Sequence, residues 1–313
     1  MATNVQHHSG DARTPWWTGL LAAGLVLAPM SGVMAADPIC VEDDRNKRVC
    51  LSQPAERVIS LSPHITEQLF AVGAGETIVG TVGFSDYPPE AESITRIGSH
   101  DRIDVEQVLA KSPDLVIAWG SGNPSAQVER LEALGLPVYV SEPRGFADVA
   151  DELERLGQLT GRSDAGREAA RAFRGEWEAL QTRYAERSPV STYYQIWDQP
   201  LMTVNDEHLI GQAIRLCGGD NVFGDSSRLT PRVDREAVLG ADPEAILASG
   251  RGEEREDWVE EWRRWSGSTA VQRDNLYFIP PSLLQRHTPR ILEGTRHLCE
   301  ALDEARDRRP EQE

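Results

Sequence analysis

Two blocks of short apolar runs and amphipathic stretches follow one another along the chain. In the first block, Ser62 and Pro63 follow an apolar run and open a helical pattern that continues to residue 71. The strand-like runs of this block are residues 58–61, 115–119 and 137–140, with an amphipathic helix over 125–134. The second block repeats the alternation with elements at 192–197, 209–216, 245–248 and 276–279. Strands that alternate with helices predict parallel sheets in an α/β fold.

A longer helical pattern separates the two blocks. Residues 164–187 place apolar side chains at helical spacing, and Pro189 ends the run. Its length would reach about 36 Å at 1.5 Å per residue. We therefore predict an α/β protein of two Rossmann-like lobes with parallel sheets, joined by one long α-helix, with a ligand cleft between the lobes. The alternative is an ordinary surface helix within a single domain.

An internal repeat supports two lobes. Residues 103–120 and 233–250 align without a gap at an offset of 130, with seven of 18 positions identical. Each copy places an aspartate, Asp104 or Asp234, at a helix N-cap and a glutamate, Glu106 or Glu236, in the first turn. Two interpretations stay open at this point. The acids cap and stabilise the helices, or the two glutamates dock a two-fold symmetric partner that carries arginines.

The N-terminus has the pattern of a secretory signal. Arg13 precedes an apolar run over residues 16–27, and Val33-Met34-Ala35-Ala36 fits a cleavage site. A true anchor helix is the alternative. We predict a signal peptide over 1–36, a hairpin segment over 37–56, an N-terminal α/β lobe over 57–160, a linker helix over 161–188, a C-terminal α/β lobe over 189–306 and a polar tail over 307–313.

Export to an oxidising compartment predicts disulfides for the four cysteines. Cys40 and Cys50 flank a polar stretch typical of a hairpin. The sequence alone allows three pairings, of which we predict Cys40–Cys50 and Cys217–Cys299. Four free buried thiols are the alternative.

Composition and motifs exclude several functions. The chain carries 32 Lys and Arg against 50 Asp and Glu, a net charge of −18, which argues against nucleic-acid partners and anionic lipid. The sequence contains neither a phosphate-binding Gly-rich loop, nor a Gly-x-Ser-x-Gly elbow, nor His-Glu-x-x-His, so no enzyme is predicted. His64 and Glu67 have the i,i+3 spacing of metal ligands, and His100 is a further recruit, so a transition-metal receptor stays open.

Aromatic residues follow several predicted strands. Phe84 lies in a polar loop, Trp119 ends one strand, and Trp197 is predicted to end the strand that opens the second lobe. Ligands of open α/β folds lie beyond the carboxyl ends of strands, so these side chains are candidates to line a cleft and stack on a flat ligand. Packing at the edge of the core is the alternative.

These motifs together resemble the periplasmic vitamin B12-binding proteins of bacterial ABC importers, among the binding proteins whose lobes are joined by one long helix. The matching stretches are 57–63, 84–89, 113–119, 216–219, 234–239 and 286–291. The resemblance implies a periplasmic monomer without catalytic activity or catalytic cofactor. It implies capture of cobalamin or another corrinoid and delivery to an ABC transporter permease dimer in the inner membrane. The alternatives are a haem or ferric-siderophore binding protein, a transition-metal receptor and a secreted enzyme.

The resemblance also implies roles for single residues. Glu106 and Glu236 match acids that engage permease arginines, and Cys217 and Cys299 match the family's disulfide. The expected ligand-binding residues are Pro63, His64, Phe84, His100, Trp119, Trp197, Met202, Thr230 and Arg286. Three of them depart from the aromatic residues expected there, namely His100, Met202 and Thr230. No metal site of the protein's own is predicted, although His64 and His100 are candidates to face a ligand-borne cobalt.

Overall fold

The structure, a computed structural model, describes residues 37–249, 252–253 and 257–310. The predicted signal peptide over 1–36 therefore lies outside the described residues. From Asp37 onward the chain packs as one unit. Within the described part, no helix is both long and apolar enough to cross a membrane.

The described chain begins with a small antiparallel hairpin, strands β1 (Ile39–Glu42) and β2 (Arg48–Leu51). Cys40 lies opposite Cys50 and is bonded to it, as predicted. The turn contacts the following lobe directly. The amide of Asp44 donates to the carbonyl of Val140 at 3.0 Å, and the amide of Glu142 donates to the Asp44 carboxylate at 2.5 Å.

The first lobe contains a four-stranded parallel sheet. Its strands are β3 (Val58–Ser60), β4 (Ile78–Thr81), β7 (Leu115–Trp119) and β8 (Val138–Ser141), in the order β4-β3-β7-β8. A short antiparallel pair, β5 (Gly98–Ser99) and β6 (Arg102–Ile103), lies outside this sheet. The helices are α1 (Pro63–Ala71), α2 (Val105–Ala110), α3 (Ser125–Ala133) and α4 (Phe146–Leu159).

One long helix, α5 (Ser163–Tyr184), follows the first lobe and precedes the second. Its apolar face packs on α4, where Phe173 meets Phe146, and Leu180 is buried further along the helix in the same core. The same apolar core continues from the hairpin through α4 and α5 into the second lobe. The helix ends three residues before the predicted boundary at 187.

The second lobe has the same sheet plan. Its strands are β9 (Val190–Gln195), β10 (Gly219–Asn221), β11 (Ala245–Ala248) and β12 (Leu276–Phe278), all parallel in the order β10-β9-β11-β12. Both sheets thus follow the chain order second, first, third, fourth. The helices are α6 (Leu209–Leu216), α7 (Arg235–Ala241), α8 (Asp257–Glu260), α9 (Thr269–Gln272), α10 (Pro281–Leu284) and α11 (Ile291–Asp307). The predicted Cys217–Cys299 bond joins the end of α6 to α11.

The internal repeat occupies equivalent places in the two sheets. Helix α2 leads into β7, and α7 leads into β11, which is the third strand of each sheet in chain order. Asp104 and Asp234 both accept a hydrogen bond from the amide three residues on, which confirms the predicted N-caps. Ser112 and Asp242, each before a proline, are both left-handed with φ of 47° and 43°.

One predicted strand end is wrong. Strand β9 ends at Gln195, so Trp197 does not end it. The chain turns there instead, and Trp197 pairs with Met202 in a short antiparallel bridge. The amide of Met202 donates to the carbonyl of Trp197, and the amide of Ile196 donates to the carbonyl of Met202.

Candidate ligand-binding cleft

The carboxyl ends of the two sheets flank a cavity of about 480 Å³. Parallel sheets of this kind hold ligands beyond such strand ends, and the volume is within the usual range for small-molecule sites. The first lobe contributes Trp119, Ser121, Glu142, Pro143 and Arg144 to its wall. The second lobe contributes Ile196, Glu207, His208, Leu209, Leu229, Thr230, Gln285 and His287.

A second cavity of about 360 Å³ extends the cleft along the first lobe. The two share Trp119, Ser121, Glu142 and Arg144 in their walls. The extension reaches the disulfide-closed hairpin, whose Asp44 and Arg45 form its far wall. The combined space is polar at its rim and carries side chains of both charges.

Charged side chains join the lobes beside this cleft. The Arg290 guanidinium donates two hydrogen bonds to the two carboxylate oxygens of Glu67, both at 2.7 Å. Glu67 is only 3% exposed. Burial lowers the pKa of Arg290, but the hydrogen bonds and negative charge of Glu67 outweigh it, so the pKa lies above the ordinary value. The same guanidinium lies 3.7 Å from the ring centroid of Tyr87, a cation–π distance.

Two further contacts cross between the lobes. Arg286 donates to the carboxylate of Asp86 at 2.7 Å and to the carbonyl of Phe84 at 3.1 Å. The side-chain amide of Gln68 donates to the carbonyl of His287 at 2.6 Å. Residues 286–290 of the second lobe are therefore anchored on the first lobe at three points. We call these contacts, together with the Arg290–Glu67 pair, the inter-lobe latch.

Histidines gather at the same place. The ring centroids of His64 and His208 both lie 6.2 Å from that of His287. Trp119 continues the row on the first lobe, with its centroid 5.4 Å from His64 and 6.1 Å from His100. A row of aromatic rings thus runs across the base of the cleft.

Three of these imidazoles are neutral at ordinary pH. Burial lowers the pKa of His64 to about 3, with further lowering by the nearby His287 and Arg286. Burial likewise lowers the pKa of His208 to about 3 and that of His287 to about 4. Neutral imidazoles have one donor and one acceptor nitrogen, so the base of the cleft offers hydrogen bonds or lone pairs rather than positive charge.

The structure places some predicted ligand-binding residues on the cleft and others beside it. Trp119 and Thr230 line the cavity wall. Arg286 is engaged in the latch, and His64 lies beneath the surface with 6% exposure. His100 contacts the ring of Trp119 but is not part of the cavity wall.

The remaining predicted ligand residues lie outside the cavity. The Phe84 side chain is 77% exposed, while its carbonyl belongs to the latch. Trp197 packs edge-on against Trp258, with centroids 5.8 Å apart, and Met202 pairs with it through the backbone. Pro63 occupies the first turn of α1 beside the cleft. Their contact with a ligand stays a prediction.

Sequence reasoning missed the latch and two of the histidines. It considered Glu67 only as a metal ligand, but both of its oxygens are bound by Arg290. It gave His208 and His287 no role. No group of three or more His, Cys, Asp or Glu residues suited to a metal ion occurs in the described part of the chain. The only available signal was that His287 lies between Arg286 and Arg290 in a segment singled out for its motif.

The two glutamates of the repeat are exposed. Glu106 lies in the first turn of α2 and Glu236 in the first turn of α7. Neither forms an ion pair with any other described residue. Both residues are therefore exposed to solvent.

Comparison with known proteins defines the class. Residues 58–283 match the periplasmic binding protein family, and the chain belongs to this family. The fold and the cleft between two parallel sheets agree with that assignment. The predicted family resemblance is therefore confirmed.

Individual relatives are more specific. The chain is 36% identical over 247 residues to the vitamin B12-binding protein of Vibrio cholerae, covering 79% of this chain and 88% of the relative. It is 35% identical over 251 residues to the vitamin B12-binding protein of Yersinia pestis, covering 80% and 88%. The crystal structure of the periplasmic vitamin B12 binding protein BtuF of Vibrio cholerae superposes with a TM-score of 0.74 at 35% identity, covering 81% and 98%.

A haem-binding neighbour shares the fold. The periplasmic heme-binding protein RhuT from Roseiflexus sp. RS-1 superposes with a TM-score of 0.72 at 23% identity, covering 80% of this chain and 99% of that one. At this identity the likeness concerns the architecture alone.

Proposed function

We propose that this periplasmic binding protein captures cobalamin or a related corrinoid between its lobes and delivers it to an ABC transporter permease dimer. The observation that carries the proposal is 35–36% identity, over about four-fifths of the chain, to proteins named as vitamin B12-binding. Export would remove residues 1–36 and place a monomer in the periplasm. The ligand is carried unchanged, so no catalytic cofactor is involved.

The chemistry of the cleft suits such a ligand. Trp119 offers a flat aromatic wall, and Ile196, Leu209 and Leu229 offer apolar contacts. Corrinoids carry amide arms around a flat ring. Amides both donate and accept hydrogen bonds, so they are complementary to a rim of mixed charge such as Glu142 and Arg144.

The closing motion is expected to be small. One 22-residue helix connects the lobes, and the inter-lobe latch already holds them together beside the cleft. Large hinge closure requires connecting residues that change their backbone angles. Capture therefore depends on a largely preformed cleft.

Calorimetric titration of the signal-free protein with cyanocobalamin, haemin and a zinc salt tests the ligand class. We expect tight one-to-one binding of the corrinoid, weakened in Trp119→Ala. Saturable binding of haemin or zinc with no heat from the corrinoid would contradict the proposal.

Haem is a second candidate, favoured by the neutral histidines at the base of the cleft. Imidazole nitrogens are common iron ligands. Binding of haemin with a histidine-type absorption spectrum, in preference to cobinamide, would establish this alternative.

Delivery is proposed to use Glu106 and Glu236, the exposed pair of the repeat. Their replacement by alanine together should abolish uptake into proteoliposomes containing the cognate permease, because arginine partners would lose both carboxylates. Corrinoid affinity should stay within twofold. Glu293→Ala, an exposed first-turn glutamate of α11, is the matched control and should retain uptake. Uptake by the double variant at the normal rate would contradict this docking role.

A further inference from the structure

Positive charge is scarce in the walls of the two cavities. Apart from the neutral histidines, Arg45 and Arg144 are the only basic residues among the described residues that line them. Arg45 is already paired, because its guanidinium lies 2.8 Å from the Asp43 carboxylate and 2.9 Å from that of Glu132. Arg144 bonds other described residues through its backbone, and its guanidinium forms neither an ion pair nor a hydrogen bond with any of them.

Arg144 lies where the two cavities meet. It follows strand β8, at the carboxyl end of the first sheet, and lines both the cavity of about 480 Å³, here called the main cavity, and the cleft extension of about 360 Å³. Its amide donates to the Asp148 carboxylate at 2.9 Å. Its carbonyl accepts from the side-chain amide of Gln212, on α6 of the second lobe, at 2.9 Å. A backbone fixed by both lobes before binding lowers the entropy that is lost when the side chain binds a ligand.

Carboxylates also line these walls, but none is placed as Arg144 is. Those of Asp44 and Glu142 are engaged, the first by Arg155 and the second by a backbone amide. Glu129 lines only the extension and Glu207 only the main cavity, and both are exposed. Salt screens exposed charges, whereas a guanidinium binds a phosphate at close range through two parallel hydrogen bonds. Close contact with the guanidinium therefore outweighs the screened repulsion.

Corrinoids differ in one anionic arm. Complete corrinoids such as cobalamin carry a nucleotide arm whose phosphodiester has one negative charge, and cobinamide lacks this arm. The volume of the extension lies by itself within the range of small-molecule sites. The extension therefore has room for an arm beside a ring in the main cavity.

We propose that the cleft extension holds the nucleotide arm of a complete corrinoid and that Arg144 binds its phosphodiester. The ring then lies in the main cavity against Trp119. The far wall of the extension is made by Asp44 and Arg45 of the hairpin, which precedes the residues 58–283 that match the family. This inference rests on the proposed function and narrows the ligand to corrinoids that carry the phosphate.

Cyanocobalamin and dicyanocobinamide separate the arm from the ring in calorimetric titrations of the signal-free protein. The wild type should bind cyanocobalamin at least tenfold more tightly. Arg144→Gln should weaken cyanocobalamin at least tenfold and leave dicyanocobinamide within twofold of wild type, because only the first ligand carries the phosphate. Added sodium chloride should reduce the preference of the wild type but not that of the variant. Arg171→Gln, at an exposed arginine of α5 outside both cavities, is the matched control and should bind both ligands as the wild type does.

A second variant tests the place of the arm. Ser125 is an exposed residue of α3 that lines the extension and not the main cavity. Ser125→Trp should fill the extension, so it should weaken cyanocobalamin at least tenfold and leave dicyanocobinamide within twofold. Ala126→Trp adds the same bulk at the neighbouring exposed position, which lines neither cavity, and should leave both affinities unchanged.

The outcomes distinguish this inference from the proposed function. Equal affinity of the wild type for the two corrinoids, equal losses for both in Arg144→Gln, or normal cyanocobalamin binding by Ser125→Trp overturns the inference alone. Failure of the wild type to bind either corrinoid overturns the proposed function with it. Haemin, whose propionates are also anionic, is titrated in parallel. Binding of haemin alone, weakened in Arg144→Gln, would assign the anion to a porphyrin and likewise overturn both.

Discussion

The two lobes share one plan but differ where the third strand ends. Each has the same strand order, a helix capped by aspartate and a left-handed residue before proline. At the equivalent positions 119 and 249, however, the first lobe has a tryptophan on the cleft and the second has a serine. Ser249 is fully buried and bonds to the hydroxyl of Tyr194 and the carbonyl of Ile279. The repeat thus preserves the scaffold while the cleft has diverged.

A second difference concerns charge. At the latch, the first lobe supplies carboxylates, Glu67 and Asp86, and the second supplies guanidiniums, Arg286 and Arg290. This division makes the interface between the lobes complementary. Five predictions test how far the lobes differ, in order of decreasing effect.

The largest expected effect comes from removing the disulfide of the second lobe. Replacing Cys217 and Cys299 by alanine should lower the free energy of unfolding by about 4.5 kcal/mol, because that bond closes a long loop in the unfolded chain. The matched pair, Cys40 and Cys50, closes a short loop and should cost about 3 kcal/mol. Urea unfolding measures both, and a larger loss for the hairpin would contradict the ranking.

Arg290→Ala should lower the free energy of unfolding by about 3 kcal/mol, since it leaves the buried Glu67 carboxylate without its partner. Adding Glu67→Gln to this variant removes the unpaired charge and should recover part of the loss. Thermal unfolding of the two variants provides the measurement. Equal stability of wild type and Arg290→Ala would show that the latch contributes nothing to folding.

The buried histidines predict acid sensitivity. The folded-state pKa values of His208 and His287, about 3 and 4, lie below the unfolded value of about 6.5, so the folded state binds fewer protons. Their contribution to stability is complete above pH 6.5 and is lost as the pH falls toward 4. Between pH 7 and pH 5, protonation linked to each histidine should lower the free energy of unfolding by roughly 2 kcal/mol. In urea unfolding, His208→Asn should reduce the loss of stability between pH 7 and pH 5 by the same amount, roughly 2 kcal/mol. If the variant lost as much stability over this range as the wild type, the low pKa of His208 would be contradicted.

Burial of a carboxyl acts with the opposite sign, as Glu152 of the first lobe shows, whereas the buried His64 of the same lobe follows the other histidines. Burial raises the pKa of Glu152 to about 7, despite the opposing charge of Arg155, so the folded state binds an extra proton between pH 4.5 and 7. Glu152 therefore favours folding less as the pH rises through that range. Because this change opposes that of the histidines, the histidine effect is obtained by comparing a histidine variant with the wild type, and not from the pH dependence of the wild type alone.

Trp119→Ser gives the first lobe the residue of the second. Corrinoid affinity should fall at least tenfold, about 1.4 kcal/mol, because the aromatic wall is lost. Ser249→Ala should lower stability through its two lost hydrogen bonds and leave affinity within twofold. A larger affinity loss for Ser249→Ala than for Trp119→Ser would reverse the assigned roles.

The smallest expected effects concern a feature that the two lobes share, the aspartate N-cap of the repeat. Asp104→Ala and Asp234→Ala each remove one N-cap and should each cost about 1 kcal/mol. The two sites lie in different lobes, so the costs should add in the double variant. Strongly unequal losses in urea unfolding would show that the capped helices are not equivalent.

The scaffold was predictable because its signals are local. Periodicity located the main strands and the long helix, and an ungapped repeat revealed the equivalent helix–strand units. The disulfides followed from cysteine pattern and family resemblance. The end of β9 was misplaced because Ile196 and Trp197 continue an apolar run although the chain already turns toward Met202.

The cleft was less predictable because its contacts are distant in sequence. Glu67 pairs with Arg290, 223 positions further along the chain. The histidine row brings residues 64, 208 and 287 together from three separate segments. Spacing within one helix identified His64 and Glu67 as a possible metal pair, but only tertiary packing reveals their actual partners.

The N-terminal hairpin has a consequence for association between molecules. Strand β8 is an edge of its sheet, and an uncovered edge offers backbone groups on which another chain can add a strand. Asp43 and Asp44 occupy these groups, since they bond the amides of Val140 and Glu142 and the carbonyl of Val140. The hairpin therefore protects this sheet edge against aggregation by strand addition. The Cys40–Cys50 bond holds the protecting turn in place.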